Sequence, residues 1–260
     1  MSKNLINNKK LAVIGCSGLV GSSILRCALE KGYEVNGTMR NIEDSTKIKY
    51  LKKLKNFKKL NLFKAEMSNE NDFNFCLQDI STLFIACLVP TYKGFDGTLA
   101  KELDDKRGYN EIINPTVNGC INILKSAKKL DVKNVVICSS TSSTNPIPPV
   151  PIKNEIDHWS DEIEQCKSKK YTSATKTIME KAAIKFCNDN NIRLSIILPT
   201  GLYGDAVLPD HMKHNPFVWL KRVLDGGEPR HLNVPNDSAS MIHLRDCLLY
   251  TSDAADEDLR

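Results

Sequence analysis

The apolar positions of the chain follow two periods in turn. The short apolar run 10–15 has the character of a buried parallel strand, and 33–40, 60–67, 82–89, 134–140 and 192–199 read as five further strands. Between them, 19–32, 42–54, 70–80, 108–130 and 173–189 place apolar residues three and four apart, the spacing of helices with one buried face. Gly32 stops the first helix, Ser68 and Asn69 cap the third, and Pro115 interrupts or kinks the fourth. Strand and helix in alternation predict an α/β fold, a doubly wound parallel sheet with helices on both faces, over residues 10–204. Residues 1–9 read as a polar, disordered lead-in, 205–247 as a small partial substrate region, and 248–260 as a separate tail.

The turn between the first strand and first helix reads Gly15-Cys16-Ser17-Gly18-Leu19-Val20-Gly21. Glycines at that junction permit a tight turn, close approach of a pyrophosphate to the backbone, and close packing of helix on sheet. The helix N-terminus then offers free N–H groups and a positive dipole end to phosphate. The residues predict a Rossmann dinucleotide site. At the end of the second strand the chain carries Thr38-Met39-Arg40, where a carboxylate would suit NAD and an arginine suits the 2′-phosphate of NADP. Arg40 therefore points to NADP(H).

Bulk properties narrow the field. The 260 residues suffice for one large domain, and 41% hydrophobic with 26% charged residues is ordinary for a soluble globular protein. The net charge of +5 gathers in the exposed helix and exit loop 47–59, so no nucleic-acid face is expected. Nine scattered cysteines without C-x-x-C spacing indicate reduced thiols and a cytoplasmic setting. Cys16, in the glycine turn, is read as a packing residue. No run approaches the ~18 apolar residues of a membrane span, and no signal-peptide region opens the chain. His158, His211, His214, His231 and His243 show no metal-ligand spacing, so no metal site is expected.

From about residue 10 to about residue 247 the chain resembles the extended short-chain dehydrogenase/reductases of the NAD-dependent epimerase/dehydratase superfamily, in the dihydroflavonol reductase, cinnamoyl-CoA reductase and aldehyde reductase group. The G-x-x-G-x-x-G spacing and Arg40 fit that group. Ala65-Glu66-Met67 resembles its A-D-L, which would put Glu66 and Met67 against the adenine. Residues 114–127 resemble its P-T-x-N-G-x-x-N-x-L helix, 154–161 its D-E-x-x-W-S-D segment and 241–247 its V-H-V-D-D. Residues 134–141 resemble its V-V-x-T-S-S strand, carrying a catalytic serine onto Ser140, and 176–183 its K-T-x-A-E-K-A-A, carrying a catalytic lysine onto Lys176. Residues 199–204 resemble the loop beside the nicotinamide, so the resemblance assigns Pro199, Ala86 at the end of the fourth strand, and Lys176 to the cofactor as well.

The resemblance implies carbonyl reduction by a Ser-Tyr-Lys set on a small-molecule carbonyl substrate. Separately, the long helices 108–130 and 173–189 could pair across a homodimer. The tyrosine of such a set must titrate about 3 units below its ordinary ~10, which asks roughly 4 kcal/mol of its surroundings.

The pattern breaks at the tyrosine. The family spacing is Y-x-x-x-K, whereas here Tyr171 stands five residues before Lys176 and Thr172 occupies the expected place. In an unbroken helix the extra residue turns Tyr171 roughly 140° from Lys176, against roughly 40° for the family spacing. A π-bulge could restore it, Tyr171 could precede the helix, or the tyrosine is lost from the site. Tyr203 is a fallback acid on a neighbouring loop. The serine and threonine run 139–143 and the proline-rich 145–151 are expected beside the substrate mouth.

Residues 247–260 do not look like the family and resemble translated sequencing-adapter read-through. Three functions are carried forward. They are an NADPH-dependent reductase of an aldehyde, ketone or acyl thioester; a nucleotide-sugar epimerase or dehydratase on the same fold; and a catalytically silent NADP(H)-binding sensor or scaffold.

Overall fold

The computed structural model describes residues 10–213, 217–227 and 240–248. The lead-in 1–9, most of the tail, His214 and His231 lie outside the described residues.

Strands and helices follow in the order β1 (Lys10–Ile14), α1 (Leu19–Glu30), β2 (Glu34–Met39), α2 (Ser45–Leu51), β3 (Leu60–Lys64), β4 (Thr82–Ile85), α3 (Asp105–Arg107), α4 (Asn114–Lys129), β5 (Asn134–Cys138), α5 (Glu162–Lys167), α6 (Tyr171–Asp189) and β6 (Arg193–Ile197). The six strands form one parallel sheet in the order β3-β2-β1-β4-β5-β6. This is the doubly wound Rossmann arrangement, whose order reverses between β1 and β4. Beyond it, β7 (Gly201–Tyr203) pairs in parallel with β8 (Met241–His243), and α7 (Phe217–Leu224) lies between them in sequence.

β1 shows why the strands read as unbroken apolar runs. Leu11 and Val13 pack into a core with Leu25 and Leu29 of α1, Val35 of β2 and Leu51 of α2. Ala12 and Ile14 face the other way, into a core with Ile123 and Leu124 of α4 and Met179 and Ala183 of α6. Alternate residues of one strand thus serve both layers. Leu208 and Leu248 join the α1 core, so described parts of the C-terminal region pack back on the sheet.

Two elements differ from the sequence pattern. Residues 70–80 form only a short 3₁₀ turn, Glu70–Phe73. Phe73, Cys76 and Leu77 are buried at helical spacing, but Asn69, Asn71 and Asp72 bond neighbouring polar groups and compete with a helix. The helix expected over 108–130 opens as a π-helix, Gly108–Ile113, and only then becomes α4, with Pro115 in its first turn where no donor is needed.

The π-helix packs on α6 at one tight point. A Cβ on Gly108 would lie 2.4 Å from Cζ of the Tyr171 ring, so only glycine admits that ring. Gly108→Ala is expected to cost roughly 1–3 kcal/mol through overpacking. That outweighs the ~1 kcal/mol alanine gains over glycine in a helix. Urea unfolding of the two proteins checks it: an unchanged midpoint would mean the ring moves aside freely.

Candidate active site

The glycine turn is built by close approach. Gly15 has φ +81°, and a Cβ there would sit 2.7 Å from Cβ of Cys87. A Cβ on Gly21 would sit 2.1 Å from the Gly15 carbonyl oxygen. Gly18 meets nothing nearer than 3.4 Å, leaving the outer face of the turn open. The first bond closing α1 runs from Ser22 N to Gly18 O, and no side chain caps the helix. The N–H groups of Leu19, Val20 and Gly21 therefore stand ahead of the helix ladder, and no acidic residue lies in its first turn. Ser17 turns its carbonyl to Nε2 of His211, 3.1 Å away. This cradle has the shape and polarity that a pyrophosphate needs.

The residues expected at the adenosine end follow β2 and β3. Arg40 follows β2 directly, is exposed, and among the described residues is held by no ion pair. Glu66 and Met67 follow β3. Met67 packs on Gly119 of α4, where a Cβ would approach to 2.7 Å, and its carbonyl accepts from Asn122 Nδ2 at 2.9 Å.

At the C-terminal edge of the sheet lies a cavity of about 330 Å³. Val20 of α1 and Ala86 after β4 form one side; Cys138, Ser139, Ser140 and Ser142 at the end of β5 form another. α6 contributes Thr172, Ser173 and Lys176, the loop after β6 contributes Pro199, Thr200 and Leu202, and the segment after β4 adds Val89, Pro90 and Tyr92. Ser140 is half-buried, its Oγ accepting from Ser142 N at 3.2 Å. Lys176 is buried, and its Nζ donates to the Leu88 carbonyl at 2.6 Å.

Burial dominates the electrostatics. Lys176 is shifted down by desolvation, with Cys138 and Glu180 pulling the other way. Glu180, one turn further along α6, is shifted up by burial against hydrogen bonds from Ser139 and Ser143. Burial pushes the Cys138 thiol up to about 11 despite the nearby Lys176.

Tyr171 is not at this cavity. α6 is α-helical from Tyr171 onward, so the angular offset stands uncorrected, and the π-helix lies in the facing segment instead. Tyr171 is 1% exposed, and its hydroxyl donates to Asp105 Oδ1 at 2.8 Å. Burial and that carboxylate push its phenol up to about 12, away from the range a proton donor needs. The expected grouping of Ser140, Tyr171 and Lys176 is thus corrected: Ser140 and Lys176 share the cavity, and Thr172 faces it where a family tyrosine would stand. Val89, Pro90 and Tyr92 escaped the sequence reading. Their signal was position alone, just past a strand's C-terminal end.

A glycine cradle at a helix N-terminus, an arginine after β2, and a serine–lysine cavity at the switch point define a dinucleotide-binding α/β protein. The signature of the NAD dependent epimerase/dehydratase family matches residues 11–256. The chain is 32% identical over 209 residues to the bifunctional dihydroflavonol 4-reductase/flavanone 4-reductase of Malus domestica, covering 78% of this chain and 56% of the relative. It is 29% identical over 209 residues to the anthocyanidin reductase of Arabidopsis thaliana, covering 78% and 58%. The chain belongs to the NAD dependent epimerase/dehydratase family, in its dihydroflavonol-reductase-like group, and spans a little over half the length of these relatives. Among solved structures, vestitone reductase from alfalfa superposes with a TM-score of 0.66 at 24% identity, covering 94% of this chain and 72% of that one. Gre2 from Candida albicans in complex with NADPH gives 0.72 at 20%, covering 94% and 75%.

The buried lysine has a pH signature. The folded value of Lys176 lies below the ordinary 10.5, so between the two the unfolded chain holds a proton that the folded chain lacks. Stability from this group therefore rises with pH through that window, and the penalty of burying the ammonium is full below it. The unfolding free energy of wild type relative to Lys176→Met is expected to rise as the pH rises towards 10.5, in paired urea melts. A flat difference would mean that the ammonium is not penalised by burial.

Proposed function

We propose that this chain is an NADPH-dependent reductase acting on the carbonyl of an aldehyde, ketone or acyl thioester. The observation that carries this reading is one cavity shared by both halves of the chemistry. Val20 from the glycine-turn helix and Ala86 line it together with Ser140, Lys176 and Pro199. The family membership and the names of the reductase relatives support it.

In this reading Gly15, Ser17, Gly18, Leu19, Val20 and Gly21 cradle the pyrophosphate and Arg40 pairs with the 2′-phosphate. Glu66 and Met67 border the adenine, and Lys176 holds the nicotinamide ribose. Ser140 donates its hydroxyl to the substrate carbonyl oxygen. When bound, NADPH supplies the hydride. Residues 10–204 would then be the cofactor domain and 205–247 the substrate region. A second reading, a binding protein without turnover, draws on the Tyr171 hydroxyl being tied to Asp105. Arg40, where an NAD-type site carries an acid, stands against a nucleotide-sugar epimerase.

Titration by cofactor fluorescence is expected to show clear preference for NADPH over NADH. Arg40→Ala should remove a charge-assisted phosphate contact and weaken NADPH about 10–100-fold, leaving NADH unchanged. A folded sample that binds neither cofactor would sink the assignment. With a panel of carbonyl compounds, Ser140→Ala should lower kcat roughly 10²-fold, the scale of losing one oxyanion donor. Tyr171→Phe should stay within about twofold, since a group remote from the reacting atoms adds nothing to the transition state. NADPH binding with no turnover of any compound would favour the second reading.

A further inference from the structure

Carbonyl reduction needs a proton at oxygen as well as a hydride at carbon. The hydroxyls of Ser140, Ser142, Thr172 and Ser173 at the cavity are far too weakly acidic to supply it. Tyr171 is turned to Asp105 on the other side of α6. Among the described residues, one phenol lines this cavity, that of Tyr92.

Resting on the reductase reading, we propose that Tyr92 is the proton donor of this site, so that the acid comes from the segment after β4 instead of from α6.

The segment is built to hold a side chain in place. Its root is fixed where Lys176 donates to the Leu88 carbonyl, so the lysine and the segment share an anchor. Buried Pro90 stiffens the next step. Tyr92 then opens a hairpin in which its own carbonyl accepts from Ala100 N at 2.9 Å and Gly94 N donates to Thr98 O at 2.8 Å. Glu111 of the π-helix braces the tip, accepting from Phe95 N at 2.8 Å and from Arg107 Nε at 2.7 Å, while Arg107 also reaches Asp96 at 2.9 Å. Gly94 lies close under this brace, where a Cβ would come 2.5 Å from Glu111 Oε2 and displace that carboxylate. Tyr92 lines the cavity and is 71% exposed, so it is open to an entering carbonyl compound.

Tyr92 gives its phenolic proton to the substrate oxygen as the carbonyl π pair moves there, the carbon having received the hydride that the cofactor carries. The products are the alcohol and the oxidised cofactor, and water returns a proton to the phenolate.

Two readouts test this, both on the full chain with Tyr92→Phe. The first needs no turnover: a carbonyl compound is titrated into the NADP⁺-loaded protein, which has no hydride to give. Loss of one hydrogen bond should weaken its binding about 3–10-fold. In the second, kcat should fall roughly 10²–10⁴-fold with NADPH affinity unchanged, and Thr172→Tyr in the same background should recover activity. Both values staying within about twofold of wild type would overturn the proposal while leaving the reductase reading intact. Wild type that binds NADPH but reduces no carbonyl compound would remove the reductase reading, and Tyr92's role with it, before any variant is made.

Discussion

The approach of α1 to the turn behind it leaves no room for a side chain, since Gly21 sits where any Cβ would strike the Gly15 carbonyl. That contact aims the N-terminus of α1 across the C-terminal edge of the sheet, at the gap where strand order reverses between β1 and β4. Gly15 lies against Cys87 in turn, so the segment leaving β4 is held at the same gap. Thr38 of β2 secures the turn from the other side, its hydroxyl and carbonyl accepting from Gly15 N and Cys16 N. Each wall of the cavity is set relative to this joint.

α6 supplies the opposite wall and brings charge into an apolar setting. Lys176 and Glu180 lie one turn apart on its buried face, each shifted by burial towards its neutral form. The hydroxyls of Ser139 and Ser143 and the Leu88 carbonyl give these groups partners that are not charges. A buried ammonium held by a backbone carbonyl keeps a fixed position, which a flexible lysine on a surface would not.

The sheet was legible because β1, β4 and β5 are short runs dominated by apolar residues, and a helical period rarely mimics six such strands with turns between them. The glycine turn was legible because position and residue type agree there. Residues 70–80 misled because their apolar spacing is helical while the asparagine side chains act on the backbone, a competition that periodicity does not register. The angular offset of Tyr171 could be computed from the chain, but its outcome depended on whether α6 stayed regular, and that was decided by Gly108 and Asp105, more than sixty residues away in sequence. Tyr92 was invisible for the same reason: a cavity wall made from the root of a loop has no local pattern.

The socket that Gly108 offers to the Tyr171 ring couples the histories of two distant positions. Once an aromatic ring fills that socket, it is part of the core beside Leu103, Ile112 and Ile113, and removing it opens a void. Shifting the ring one place along α6 would therefore empty one site as it filled another. The two states are separated by intermediates that are worse than either, with a void or with two rings on adjacent positions. Gly108 and the Tyr171 ring therefore behave as one unit, and the effects of changing both are not the sum of changing each.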